Sequence, residues 1–250
     1  MHSFYESKEQ LNQYLLFHFG SKKQLFKNEL DFGNDISNFP RRCVLQGLDK
    51  SSLDGNGRAL DLGCSVGGSS FELSHFFKIV HGLDYSESFI NAANYLKENK
   101  EHPVEILIEG NDFLKEKVYL DESINTDKIS FSVGDAMCLS NNILGYDCVL
   151  ACNLICRLPD PIVLIKNFSH LVKSNGQLII TTPFTWLKEF TPPNNWLNKN
   201  HKDSFSGLKF ALEEYGGFTL DYSWDIPFLI REHSRKYQYS IAKASRWIKK

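Results

Sequence analysis

The sequence predicts a doubly wound α/β fold, a seven-stranded sheet preceded by an N-terminal helical lid and interrupted by an inserted hairpin. Three observations predict it. From Arg58 onward, short apolar runs alternate with helical segments, the pattern of βαβ units on a parallel sheet. A glycine-bearing turn, Gly63-Cys64-Ser65-Val66-Gly67-Gly68, follows the first of these strands and opens a helix. The last section, residues 218–230 and 237–247, is extended without a crossover helix, so it closes the sheet as an antiparallel pair.

At 250 residues the chain suits one large α/β domain rather than two. We expect a single domain over 1–250, with 1–57 as the helical lid and 58–250 as the core. Residues 5–19 place Leu11, Leu15 and His18 or Phe19 at helical spacing, and Gly20 stops that helix. Residues 41–45 form a second helical piece, and 51–57 a loop. Strands follow at Arg58–Leu62, 79–83, Ile129–Val133, 146–151 and 177–182, with helices at 69–77, 87–97 and 161–172. Residues 104–108 and 117–120 do not fit the repeat and read as the hairpin. Helix 205–215, stopped by Gly216-Gly217, leads to the closing pair.

Hydrophobic residues at 42% and charged residues at 23% are ordinary for a globular chain. A net charge of −2 gives no long-range positive field, so no nucleic-acid partner is expected. The chain's start lacks a basic segment leading into an apolar one, and no apolar run approaches the roughly 20 residues of a membrane helix. No membrane contact is expected, and the location is cytoplasmic. With no secretory signal the six cysteines read as reduced thiols. Cys148, Cys152 and Cys156 stand in C-x3-C-x3-C spacing within an apolar run and read as packing residues, so no metal is assigned.

Three acids recur at strand ends. Asp61 lies at the carboxyl end of strand one, beside Gly63, Ser65 and Gly67. Asp84-Tyr85 ends strand two, about twenty residues on, where an acid suits both hydroxyls of a ribose. Gly134-Asp135-Ala136 follows strand three. The stretch from Asp61 to Gly67 resembles motif I of the class I S-adenosylmethionine methyltransferases, D-x-G-x-G-x-G, with Ser65 in place of the middle glycine. That resemblance implies a Rossmann-like sheet closed by an antiparallel pair, with S-adenosylmethionine as cofactor and S-adenosylhomocysteine as product. It implies that Asp61 meets the methionine ammonium, Asp84 the ribose, and Asp135 and Ala136 the adenine. It also implies that Asn153, Leu154 and Arg157, leaving strand four, line cofactor and substrate. The plainer readings are a turn cap for Asn153 and a surface ion pair for Arg157.

Longer stretches resemble the mercaptohistidine N-methyltransferases of ovothiol biosynthesis: Tyr14-Leu15-Leu16-Phe17-His18-Phe19-Gly20, Phe39-Pro40-Arg41-Arg42-Cys43, Asp61 through Leu73, Cys152-Asn153-Leu154-Ile155-Cys156-Arg157-Leu158 and Pro183-Phe184-Thr185-Trp186-Leu187. This implies methyl transfer to an imidazole nitrogen, the π nitrogen, of 5-thiohistidine, by a free-standing enzyme working with a separate sulfoxide synthase. For alignment of that substrate we expect Tyr14, Phe17 and His18 as a lid, with His18 accepting the imidazole proton or bonding the thiolate. Asn153 joins Tyr14 and His18 as a candidate catalytic residue. Arg42, Arg157 and Arg231 are the candidates for the substrate carboxylate. Phe184, Trp186 and Trp196 are the candidate aromatic wall, with the loop from Pro192 to Trp196 closing over substrate. Packing roles remain the alternative for the histidine and the aromatics. A methyltransferase for another small amine, acid or thiol, or a non-catalytic cofactor-binding partner protein, remain the alternative functions.

Overall fold

The computed structural model describes residues 5–26, 36–140 and 142–250. Its strands are β1 Arg58–Leu62, β2 Ile79–Asp84, β3 Glu101–Glu109, β4 Asp112–Tyr119, β5 Ile129–Val133, β6 Tyr146–Cys152, β7 Val172–Thr182, β8 Phe218–His233 and β9 Lys236–Lys249. Seven of them form one sheet in the order β5-β2-β1-β6-β7-β9-β8. The first five run parallel, while β9 is antiparallel to β7 and β8 to β9. The doubly wound mixed sheet expected from the sequence is therefore present. β1 lies between β2 and β6, so the chain winds outward in both directions from it. Loops leaving β1 and β6 diverge at this switch point and open a crevice there.

The helices are α1 Lys8–Phe19, α2 Lys22–Leu25, α3 Phe39–Gly47, α4 Gly68–Leu73, α5 Glu87–Asn99, α6 Pro161–Leu171 and α7 Ser204–Ala211. Their starts are written in short polar side chains that accept from otherwise orphaned amides. Ser7 accepts from Gln10 N, Ser86 from Phe89 N, Asp160 from Ile162 N and Asp203 from Ser206 N. Among the described residues no helix is long and apolar enough to cross a membrane.

Two elements differ from their sequence expectation for local reasons. Helix α4 stops at Leu73 because the Ser74 hydroxyl donates back to Phe71 O at 2.7 Å and the backbone tightens there. β7 begins at Val172, directly after α6, although Lys173-Ser174-Asn175-Gly176 reads as a turn. Asn175 takes φ 63° and the pairing with β6 shifts register, so the polar stretch is absorbed as an irregularity at the strand's start.

The inserted hairpin is larger than the sequence suggests and forms its own two-stranded sheet, β3-β4. Its outer residues mix charged side chains such as Asp112, Lys115 and Lys117 with exposed Phe113, Leu114 and Tyr119, which breaks the alternation a strand reading needs, while Val104, Ile106 and Val118 turn inward and are buried. Asn12 on α1 accepts from Glu105 N at 2.9 Å, and Lys8 meets Glu105 at 2.8 Å. On the other side Gln24 donates to Lys117 O at 2.8 Å, and the Ser234 hydroxyl donates to Ile108 O at 2.8 Å. The hairpin thus braces α1 and α2 against the turn between β8 and β9.

Trp247 on β9 is the largest fully buried side chain, packed with Phe168, Phe218 and Leu208 beneath the sheet, its indole N–H on Ser245 Oγ at 2.9 Å. Trp247→Ala is expected to cost about 3–5 kcal/mol. Urea unfolding measures this; a loss below about 1 kcal/mol would show that this side of the core collapses around the cavity.

Candidate active site

Two carboxyl groups define the site at the carboxyl ends of β1 and β2. Asp61 is 1% exposed and accepts from the Ser70 hydroxyl at 2.6 Å. Burial pushes it up to about 7, opposed by the Ser70 hydrogen bond and reinforced by the nearby charge of Asp84. Asp84 is also raised by burial, although the amides of Ser86 at 2.9 Å and Ser65 at 2.8 Å donate to it. Among the described residues neither carboxyl forms an ion pair. Two acids sharing a buried crevice are destabilised as carboxylates until a cation and hydroxyl donors reach them.

The turn between them is held open by its backbone. Gly63 takes φ 71°, and a Cβ there would come within 3.1 Å of Leu154, so bulk at this position would separate the two loops that meet over β1. Gly63 N and Cys64 N both donate to Leu83 O, at 2.8 and 3.1 Å, tying the turn to β2. Ser65 adopts φ 50°, and its hydroxyl is 6% exposed with no hydrogen-bond partner among the described residues. Gly67 follows at φ 90° and starts α4. A hydroxyl without a partner, between two carboxyls that have hydrogen bonds but no cation among the described residues, suits a ligand that brings an ammonium and vicinal hydroxyls. S-adenosylmethionine fits this donor set, with Asp61 for the ammonium and Asp84 for the ribose, and it supplies an activated sulfonium methyl.

The outer loops complete the rim. Asp135 is exposed, and one carboxylate oxygen accepts from Met137 N at 2.8 Å; Ala136 beside it is buried. Gly134 N donates to Asp84 O at 2.9 Å, so the third acid stands one strand out from the second. Tyr85 projects from the rim, 51% exposed. After β6, Asn153 is held at φ 52° with its amide on Thr181 O and its side-chain oxygen accepting from Thr181 Oγ1 at 3.2 Å. Leu154 lies against Gly63. Arg157 donates to Thr185 O at 2.9 Å and places its guanidinium 5.1 Å from the Phe190 ring centre.

Several sequence expectations are redirected. His18 Nδ1 accepts from Gly68 N at 3.1 Å, and burial pulls its pKa down to about 3. It is a neutral anchor for the start of α4, its remaining Nε2–H is a donor, and the proton-acceptor role falls. Phe17 faces away into a core with Phe39 and Phe228, at 5.6 and 5.8 Å between ring centres, rather than over the substrate. Arg42 donates to Ser37 O and Pro227 O, and Arg231, 7% exposed on β8, donates to Gln24 O. Arg42 is held between Ser37 and Pro227 and Arg231 beside Gln24, with Arg231 Nε buried and without a partner among the described residues, whereas Arg157 lies on the loop leaving β6. Trp186 and Trp196 stack at 6.5 Å, with their N–H groups on Ser204 Oγ and Thr191 O, and Phe184 lies 6.3 Å from Trp186. These rings form a fixed wall beside the β6 loop. The turn at Pro193–Asn195 is tied to the segment after β6 by Asn195 donating to Pro159 O at 2.9 Å.

Three residues missed by the sequence reading join the site. Tyr5 packs against Tyr14 at 6.1 Å, Phe89 at 6.0 Å and Phe190 at 6.2 Å. Its hydroxyl lies within reach of Arg157 and Tyr14. Tyr14 in turn faces the Asp84 carboxylate, and its own hydroxyl is raised by burial. The available signal was the Ser7 cap, which starts α1 at Lys8 and leaves Tyr5 outside that helix.

Below about pH 7 the unliganded protein carries a proton on Asp61, and an ammonium partner would expel it. S-adenosylhomocysteine titrated near pH 6.5 in buffers of different ionisation enthalpy should release protons, and Asp61→Asn should abolish the release. Because the folded value is raised, Asp61 contributes stability at low pH that is lost as pH climbs through 7. Unliganded Asp61→Asn should therefore melt above wild type at pH 8; a lower melting point would overturn this reading of Asp61. Asp84→Ala should weaken S-adenosylhomocysteine at least tenfold, since it removes charge-assisted bonds of about 1.5–3 kcal/mol each.

Comparison with known proteins agrees with this geometry. Residues 60–178 match the family model described as a methyltransferase domain. The chain is 28% identical over 123 residues to the ubiquinone biosynthesis O-methyltransferase of Coxiella burnetii, covering 49% of this chain and 42% of that protein. It thus spans less than half the length of that relative. Among solved structures, magnesium protoporphyrin IX methyltransferase from Synechocystis PCC 6803, crystallised with bound S-adenosylhomocysteine, superposes with a TM-score of 0.57 at 15% identity, covering 100% of this chain and 98% of that one. The [4+2]-cyclase SpnF superposes at 0.61 and 15% identity, covering 99% and 95%. At such identities these two likenesses speak for the fold alone. The matched segment contains the β1 turn, the β2 acid and the β6 loop, so over residues 60–178 the chain is similar to a methyltransferase domain.

Proposed function

We propose that this methyltransferase transfers the sulfonium methyl of S-adenosylmethionine to the π nitrogen of 5-thiohistidine, giving ovothiol A and S-adenosylhomocysteine. One observation carries the reading: of the five segments that resemble the mercaptohistidine N-methyltransferases, one is the β1 turn and its helix, three touch it or each other around it, and the fifth joins them through Arg157. His18 holds Gly68, Pro40 O accepts from Ser69 Oγ at 3.0 Å, and Arg41 pairs with Glu72 at 3.0 Å. Cys43 packs on Cys152, and Arg157 bonds Thr185 O. Segments scattered over the sequence thus form one continuous wall around the cofactor crevice.

The chemistry asks for alignment rather than strong acids and bases. A sulfonium methyl is already activated, so the protein has to hold a ring nitrogen in line and exclude water. Of the three candidate arginines, Arg157 alone stands at the crevice, which suits it to the substrate carboxylate. His18 with its Nε2–H is suited to temper the thiolate, the softer nucleophile, so that nitrogen attacks instead. Tyr14 and Asn153 bound the same space from opposite sides. The enzyme is read as cytoplasmic, and its substrate would come from a separate sulfoxide synthase.

Mass-spectrometric turnover tests this directly. With S-adenosylmethionine and 5-thiohistidine, histidine or cysteine offered separately, one methyl should be gained on 5-thiohistidine alone, at nitrogen. Methylation of another acceptor and not of 5-thiohistidine would overturn the assignment. The kcat profile between pH 5 and 8 should show no ionisation that disappears in His18→Asn; finding one would restore His18 as a base.

A further inference from the structure

The segment before α1 is tied to the cofactor side of the crevice. The Glu6 carboxylate accepts from Glu87 N at 2.9 Å and Ser88 N at 3.1 Å, in the first turn of α5. Tyr5 O accepts from Ser86 Oγ at 3.2 Å and Ser88 Oγ at 3.4 Å. Ser86 is the residue whose amide bonds Asp84. These four contacts fasten residues 5 and 6 beside the candidate ribose acid.

From that anchorage the Tyr5 side chain crosses to the opposite rim. Its ring stands among Tyr14, Phe89 and Phe190, and Phe190 also carries the Arg157 guanidinium. Arg157 is itself fixed, since Nη1 donates to Thr185 O at 2.9 Å and to Cys156 O at 3.2 Å. A phenol and a guanidinium held beside one aromatic ring are two oriented donors, with the Tyr14 hydroxyl beside them. Such a pair is matched by a carboxylate, which accepts from both at once.

We propose that Tyr5, delivered by the latch at Glu6, and Arg157 together form the carboxylate receptor of the methyl-transfer site, and that it takes the carboxylate of the acceptor. The assignment to the acceptor rests on the reading of the substrate as 5-thiohistidine. The methionine carboxylate of the cofactor is the other source of the same chemistry. Holding the acceptor by its carboxylate at this rim fixes which edge of its ring meets the methyl group, so the receptor sets regiochemistry as well as affinity.

The test is calorimetric binding to wild type, Tyr5→Phe and Glu6→Gln. Tyr5→Phe keeps the ring's packing and removes only the hydroxyl. S-adenosylhomocysteine is titrated first, and then 5-thiohistidine and its decarboxylated amine are titrated into the loaded protein. Tyr5→Phe should weaken 5-thiohistidine about tenfold, the loss of one hydrogen bond to a charged group. It should leave the amine and S-adenosylhomocysteine within twofold. Glu6→Gln should weaken 5-thiohistidine in the same sense, because the latch then delivers Tyr5 less firmly. Loss of S-adenosylhomocysteine binding in Tyr5→Phe, with the acceptor unaffected, would move the receptor to the cofactor and overturn the assignment. Equal losses for 5-thiohistidine and the amine would reduce Tyr5 to packing, and no loss anywhere would overturn the receptor. If wild type fails to bind 5-thiohistidine while Tyr5→Phe still weakens S-adenosylhomocysteine, the substrate reading and the acceptor assignment both fall and a cofactor receptor remains.

Discussion

Two carboxyls at neighbouring strand ends, Asp61 fully and Asp84 partly buried, are the constraint around which this molecule is arranged. A parallel sheet offers its strand ends as a natural place for polar groups, because chain direction alone brings every exit loop to one edge. Here the central exits carry Asp61 and Asp84, and burial raises both. Such a pair is tolerable in a folded chain only if the surrounding groups partly satisfy it and a ligand completes the work. The Ser70 hydroxyl and the amides of Ser65 and Ser86 are the partial satisfaction. The positive-φ turn, the helix that starts at Gly68 and the histidine that anchors it all follow from keeping those groups in place.

The layers outside the sheet serve the same end. Hairpin β3-β4 and the β8-β9 turn brace α1, and α1 carries Tyr14 and His18 to the crevice. α3 reaches in from the other direction through Pro40 and Arg41. The fold is also that of a [4+2]-cyclase, so the sheet by itself does not fix the chemistry.

Sequence reasoning reached the sheet and the three strand-end acids because each is a local pattern: an apolar run, then an acid, then a glycine or a cap. It reached Arg157 for the same reason, as a residue of the loop leaving a strand. It misassigned Arg42 and Arg231 because their partners are backbone carbonyls 185 and 207 residues away, and a carbonyl leaves no trace in sequence. Phe17 was misplaced because helical spacing puts it near Tyr14 without saying which side the sheet lies on. Tyr5 and Phe190 were invisible for a third reason. They come from opposite ends of the chain and acquire meaning only as neighbours, in a box no single segment contains. The hairpin was legible as an irregularity, and its mixed charged and apolar outer residues concealed its extent.

The bracing of α1 has a consequence for how the protein matures. Gln13 on α1 donates to the carbonyl of Arg231, 218 residues downstream, and the hairpin that grips the helix is capped by Ser234. Contacts between such distant segments are closed late, because the entropy of the long loop is lost before the contact returns anything. On the ribosome, α1 is made before β8 and β9 and finds its seat only once they have left the exit tunnel. The parallel strands and their acid-bearing turns are by then already made. Until then the loops that carry Asp61 and Asp84 lack the helix that packs on the start of α4.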